Sequence, residues 1–465
     1  MSIERIREMA GVSGPRVVSS AHHAATSAGI GAYAAGGNAF DAALAACFME
    51  DVALPMKCGL GGDLVALFRR AGGPFEAVVS VGPGARAIAD GEKLERLGPR
   101  SVGVPGAPDG YATLHRFCRL GLDKLAAPAI AAAETGVPWS RVALNYYIQA
   151  EELLAHWSPN SPYAPDGKRP ALGSLRRLPG LGALLRDFVR DGADLFAGAA
   201  GDLYLKELQA KGGILTKADL AIRPARQMAA DITVLDDGTR MIVTPEPTSG
   251  RRLVNLVTRA RDTSEPPVSI VRAERAEAKR VGRLATDGGT SVVTAADSEG
   301  NVVVVLHSNS FPQFASGIVL SNGLVLTNRP GRGFDLAAPP EARNAPRAGR
   351  VPPTTLHGWA LERPGELLAG ATPGGINQLP WNAQTVTELL AGTSPLEAVT
   401  NPRWALAESD ELSAEPGAKL PEDIAMRSVP PLSQGSVQQV LRIAPDRLIE
   451  LAADPRAGGS AQAAY

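Results

Sequence analysis

Cysteine is scarce in this chain. The three present, Cys47, Cys58 and Cys118, are odd in number and scattered without metal-ligand spacing, so they read as buried thiols, not as disulfides or a zinc site. No sign of charge is in excess either. With 47 basic residues against 48 acidic ones and no basic run, nucleic acid and anionic membrane surfaces are poor partners. Long apolar runs are also missing, since no window approaches the roughly 18 residues of a membrane-spanning helix. The opening "MSIERIREMAGVSGPRVVSS" carries charges where a secretory signal needs an apolar core, so the expected location is cytoplasmic. What the chain does have is bulk. Its 465 residues, 45% of them apolar, exceed a usual single core and predict two lobes or one large layered domain. Small-molecule chemistry is the function class left standing.

"HHAATSAGIGAYAAGGNAFDAALAACFMEDV" predicts two closely packed helices, broken at Gly36-Gly37 and restarted at Asn38 or Asp41. "LVALFRR" and "EAVVSV" read as the two strands of one hairpin. Residues 120–210 are mainly helical, around the Pro-rich loop "HWSPNSPYAPDGKRP". From residue 230 the pattern turns to strands in "ADITVLDDGTRMIVTP", "TSVVTAAD", "NVVVVLHS" and "GIVLSNGLVLTN". Strands of small and β-branched residues between helical segments suggest stacked sheets covered by helices. The charged, Pro-containing stretch from Arg251 to Gly289 reads as an exposed linker.

That linker ends in Gly288-Gly289, directly before Thr290 and a strand. A threonine there is ordinarily a strand opener. Were the chain cut at Gly289–Thr290, the freed amino group of Thr290 would become the base for its own hydroxyl. An α-amino group, with an ordinary pKa of roughly 7.7–8.0, is well matched to that task and removes the need for a histidine. "GLGGD" does not mark a dinucleotide site, because no strand–GxGxxG–helix unit with a later acidic residue accompanies it.

In order along the chain come "AAGGNAFDAALAA", "CGLGGDLVALF", "VGVPGAPDGY", "PAIAAAETGV", "GGILTKADL", "EPTSG", "TSVVTAADSEGN", "FASGIVLSNGLVLTN", "RNAPRAGRVPPTT", "GATPGGINQLPWNAQ" and "SPLEAVTNPRW". Taken together, this series resembles the gamma-glutamyltransferase family of N-terminal-nucleophile hydrolases over nearly the whole length. The resemblance implies an α+β fold, a four-layer αββα sandwich built from the large and small subunits of one precursor. Residues 1–289 would be the large subunit and residues 290–465 the small one, with Thr290 as the nucleophile. It further implies that Ser308 bonds the nucleophile and that Gly374 and Gly375 form the oxyanion hole, with no cofactor or metal.

Several positions depart from the family. The arginine that grips a glutamyl carboxylate is replaced by Gly82 in "SVGPGARA", and the aspartate that grips the amino group by Gly333 in "NRPGRGF". Losing charged hydrogen bonds of about 1.5–3 kcal/mol each makes a free gamma-glutamyl group a poor substrate. Arg329 and Arg332 bring in positive charge, which predicts a substrate with a carboxylate or keto acid near the bond that breaks. Asn309, Arg350 and Thr354 are further candidate substrate-binding residues, whereas His357 and Trp359 read as packing. Only 39 residues separate Gly250 from Thr290, which shortens the large piece beside the site. These departures most resemble family members that hydrolyse a carbon–carbon bond, releasing oxalate, during 4-alkylproline biosynthesis. Amidohydrolases or acylases, of the oxamate or cephalosporin type, and a residual gamma-glutamyl hydrolase are the alternatives. An uncut ligand-binding pseudoenzyme is the alternative of another class.

Overall fold

The computed structural model describes residues 10–280 and 289–465. Two seven-stranded antiparallel sheets lie face to face. One runs in the order Gly11–Gly14, Ile449–Ala453, Gln439–Ile443, Glu366–Ala371, Trp359–Arg363, Arg240–Val243, Asp231–Val234. The other runs Ser460–Ala464, Arg16–Ser20, Thr290–Asp297, Val302–Ser308, Asp63–Arg69, Phe75–Ser80, Arg226–Ala229. Each sheet takes strands from both sides of residue 290, so the two halves of the chain interlock through backbone hydrogen bonds.

The period-two alternation of a strand divides the apolar residues between three cores. Val292, Ala296, Val304 and Leu306 face Ile242, Ala360, Ala369 and Leu441 in the layer between the sheets. Val293, Ala295, Val303 and Val305 face the other way, onto helices that include His23–Ala34, Ala39–Ala53, Leu122–Thr135 and Pro179–Asp191. The opposite sheet packs Met241, Trp359, Leu361 and Leu368 against helices that include Gly250–Asp262, Pro267–Arg280 and Gln378–Leu390. Helices, sheet, sheet and helices make the expected αββα order.

Local expectations are met at the first helix pair and the first hairpin. Asn38 starts the second helix, accepting from the Phe40 and Asp41 N–H groups while Asp41 accepts from Asn38, a reciprocal capping box. Asp63–Arg69 and Phe75–Ser80 pair antiparallel. Cys47 and Cys58 are buried free thiols, and Cys118 is a half-buried one.

Two expectations are corrected. Residues after Arg251 form helices, Gly250–Asp262 and Pro267–Arg280, not an exposed linker. Their charges line one face, while Leu253, Val254, Leu256, Val257, Val268, Ile270 and Val271 are buried at helical spacing on the other. Residues 281–288, the remainder of that stretch, lie outside the described residues. "GIVLSNGLVLTN" is a turn-rich loop with a single Val319–Val325 bridge, not a pair of strands. Its Ile318, Leu320, Leu324 and Leu326 are drawn into the helix-side core, and tertiary packing overrides the strand pattern. No helix among the described residues is long and apolar enough to cross a membrane.

Candidate active site

Thr290 and Ser308 are cross-strand partners in adjacent antiparallel strands. Both follow the parity of Val292 and Leu306, so both side chains stand on the face turned toward the second sheet. Thr290 Oγ1 donates to Ser308 Oγ at 3.3 Å, and Gln378 Nε2 donates to Thr290 Oγ1 at 2.9 Å. Behind them, Ser308 Oγ accepts from the Ser310 N–H at 3.0 Å and from Arg329 Nη2 at 3.2 Å. Arg329 Nε donates to Asp63 Oδ2 at 2.7 Å, and Asp63 Oδ1 accepts from the Gly82 N–H at 2.9 Å. Burial pushes the Asp63 carboxyl up, against the opposing pull of Arg329. The result is a continuous polar chain from Asp63 to the candidate nucleophile.

The hydroxyl opens onto a cavity of about 550 Å³ whose lining includes Lys57, Tyr146, Gly289, Thr290, Phe311, Arg332, Gly374, Gly375, Trp381 and Glu408. Gly289 adopts φ +68°, and a Cβ there would lie 2.0 Å from the Ser310 carbonyl oxygen, so only glycine fits before the candidate scissile bond. Gly374 adopts φ +136°, and its Cβ would strike the Trp381 ring at 2.3 Å. Neither amide N–H of Gly374–Gly375 meets an acceptor among the described residues, which leaves both available to a developing oxyanion.

The loop carrying those amides is held by the opposite half of the chain. Arg275, on Pro267–Arg280, donates to the carbonyls of Leu406 at 2.9 Å, Ala407 at 3.0 Å and Ile376 at 3.3 Å. It also reaches Asn377 Oδ1 at 3.4 Å. Burial pulls its pKa down to about 10, so it stays charged at neutral pH.

Thr290, Gly374, Gly375 and Arg332 therefore share one cavity, with Ser308 hydrogen-bonded beneath Thr290. Arg332 stacks its guanidinium over Phe311 at 5.5 Å. Arg329 is fully buried, its charge facing Asp63, with Nε donating to Asp63 and Nη2 to Ser308. Asn309 is turned away from the cavity: Nδ2 donates to the carbonyls of Pro55 at 3.0 Å and Cys58 at 3.1 Å. Arg350 and Thr354 line a second cavity of about 330 Å³, beside the start of Gly250–Asp262, which shares no lining residue with the first. His357 and Trp359 are packed inside, both bonded to Asn382.

At Gly82 and Gly333, where the sequence resemblance puts the family's amino-acid clamp, no side chain fits without a shift. A Cβ on Gly82 would lie 1.6 Å from the Val104 carbonyl oxygen, and one on Gly333 would lie 2.7 Å from Pro352 and Pro353. Lys57, Asp63, Arg275 and Gln378 were not anticipated from sequence. Gln378 alone had a signal, its place at the end of "TPGGINQ". Among the described residues one cluster has the donor types of a metal site: Glu50, Cys58 and His307. Both ring nitrogens of His307 are already engaged, by Glu50 at 2.6 Å and Tyr111 at 2.7 Å, and this cluster ties a helix to the sheet.

A model of the Gamma-glutamyltranspeptidase family matches residues 25–260 and 251–464. The chain belongs to this family. Among curated relatives, Glutathione hydrolase proenzyme 1 of Schizosaccharomyces pombe is 27% identical over 44% of this chain and 34% of its own length. Acylase ACY 1 proenzyme of Pseudomonas sp. strain SE83 is 30% identical over 43% of this chain and 39% of its own. The matched region thus spans well under half of these family members. Two solved structures align almost end to end. A cephalosporin acylase from Bacillus halodurans covers 98% of this chain and 97% of its own, at 24% identity and TM-score 0.83. The protein named LmbA2991HD covers 97% and 98%, at 20% identity and TM-score 0.82. These two likenesses show that the chain shares their fold.

Proposed function

We propose that this gamma-glutamyltranspeptidase family member is a self-processing threonine hydrolase. Cleavage at Gly289–Thr290 would leave pieces 1–289 and 290–465 interlocked through both sheets. The freed Thr290 amine takes the proton from Oγ1, and Oγ1 attacks an acyl carbon. The Gly374 and Gly375 amides receive the oxyanion, and the ammonium returns the proton to the leaving group. Water, deprotonated by the same amine, then releases the acyl group. The observation that carries this reading is the Thr290 hydroxyl, bonded to Ser308 and Gln378, in the wall of a cavity that Gly374 and Gly375 also line.

The substrate is an acyl compound other than a free gamma-glutamyl group, because Gly82 and Gly333 leave no space for the family's amino-acid clamp. The finer reading is hydrolysis of a carbon–carbon bond with release of oxalate in 4-alkylproline formation, supported by the resemblance in sequence. An amide bond, as in the acylase relatives, passes through the same oxyanion and differs only in the leaving group.

Intact mass under denaturing conditions tests the assignment. Wild-type protein should give two pieces that meet at Gly289–Thr290, and Thr290→Ala a single chain. An uncut wild type would make the protein a ligand-binding relative. Assays for oxalate and for free amine on carboxylated acyl compounds then separate the two leaving groups.

A further inference from the structure

We propose that Lys57 is the carboxylate-binding residue of this site: its ammonium receives an anionic group on the ligand that occupies the Thr290 cavity. The proposal deepens the hydrolase reading, and rests on it for identifying that ligand as the substrate.

Lys57 lines the cavity together with Thr290, Gly374 and Gly375, yet its residue is only 4% exposed. Among the described residues its ammonium forms no hydrogen bond and no ion pair. Its one close partner is the ring of Tyr146, 5.2 Å from Nζ to the centroid, and Tyr146 lines the same cavity. The residue is buried among protein while the cavity lies beside it, so an anionic group on a ligand there would meet an ammonium that no protein carboxylate pairs with among the described residues. The other buried cation close by does not offer the same opportunity, since Arg329 pairs with Asp63.

Hydrogen bonds tie the Lys57 turn to the strand that carries Ser308. Asn309 follows Ser308 directly, and its N–H donates to the Lys57 carbonyl at 2.8 Å. The Asn309 side chain holds the carbonyls of Pro55 and Cys58 on either side. The strand that presents Ser308 to Thr290 therefore also fixes the turn that carries Lys57, so one end of an acyl group can be anchored while its carbonyl meets Oγ1. Asn309 is thus a positioning residue for Lys57.

The test is calorimetric binding of oxalate, succinate and glutarate to the purified full-length protein, wild type and Lys57→Met, with neutral glutaramide as control. At least one dicarboxylate should bind wild type, and Lys57→Met should weaken it about 10- to 100-fold, the range for losing one charged hydrogen bond. Glutaramide should be indifferent to the change, and Lys57→Arg should keep most of the affinity. Failure of every dicarboxylate to bind wild type overturns the proposal, as does equal binding by Lys57→Met. A second measurement needs no variant. A bound dicarboxylate should protect Lys57 from acetylation by an N-hydroxysuccinimide ester, read by peptide mass, and absence of protection overturns the proposal equally. Intact mass on the same samples keeps the two readings apart. An uncut chain that binds through Lys57 removes the hydrolase assignment alone, whereas a cut chain whose binding ignores Lys57 removes this proposal alone.

Discussion

Gln378 donates from Nε2 to Thr290 Oγ1 across 2.9 Å, and it stands at the start of the helix that follows Gly374–Gly375. One short segment, 374–378, thus supplies both the candidate oxyanion amides and a contact to the Thr290 hydroxyl. Gln378→Leu removes the contact without adding charge. Turnover should drop about tenfold, the worth of one ordinary hydrogen bond of about 1.4 kcal/mol, while the chain is still cut. Steady-state kcat beside intact mass checks this, and an unaltered kcat would show the contact to be irrelevant to turnover.

Arg275 extends the same argument across Gly289–Thr290. It lies on Pro267–Arg280, in the half of the chain that precedes Thr290, and grips the carbonyls of Ile376, Leu406 and Ala407. Arg275→Met should loosen the oxyanion loop and lower kcat about 10- to 100-fold with little change in KM, because interactions realised only in the transition state are lost. Arg275→Lys should recover part of kcat. Equal losses in kcat and thermal stability, with no rescue by lysine, would mark Arg275 as scaffold only.

Backbone geometry at the candidate scissile bond predicts a processing defect. Gly289→Ala places a Cβ 2.0 Å from the Ser310 carbonyl oxygen at φ +68°. The segment must shift before cleavage, so the appearance of two pieces should slow at least about tenfold, a cost of roughly 1–3 kcal/mol in strained backbone. A time course of intact mass after translation settles the point, and a wild-type rate would count against any special geometry at this peptide.

Acid should destabilise the fold through His357. Burial, joined by the nearby positive charge of Arg252 and opposed by a bond to the Thr355 carbonyl, lowers its pKa from 6.5 to about 4. The unfolded chain binds the proton first, so this contribution is whole above pH 6.5 and is lost as pH falls from there toward 4. The loss is on the order of 3 kcal/mol over that window. Denaturant titrations at several pH values should show that slope in wild type and a shallower one in His357→Asn. Identical slopes would assign the acid sensitivity to other groups, such as buried His22, whose pKa burial also lowers to about 4.

Legibility in the sequence followed the range of the signal. The capping box at Asn38 and Asp41 and the alternation through 63–80 and 290–308 could be read, because each is encoded within a few residues. Residues 251–280 read as a linker because their ten arginines and glutamates outnumber their seven leucines, valines and isoleucines. The stripe from Leu253 to Val271 is visible only when helical spacing is counted. In 318–326 the apolar residues mimic strands but are buried by neighbouring helices, an influence no local window contains.

By itself the sequence determined the family and the order of the layers, and it named the candidate site: a hydroxyl behind glycine at 290, a second one at 308, and paired glycines at 374 and 375. Local spacing and chain order suffice for those. Only the tertiary structure decided which charges meet. It joined Asp63 to Arg329 and Arg275 to residue 376, set Lys57 in the Thr290 cavity, and sent Arg350 and Thr354 to a different one. The physical reason is that burial makes a charge costly until a partner is found, and such partners lie tens to hundreds of residues away along the chain.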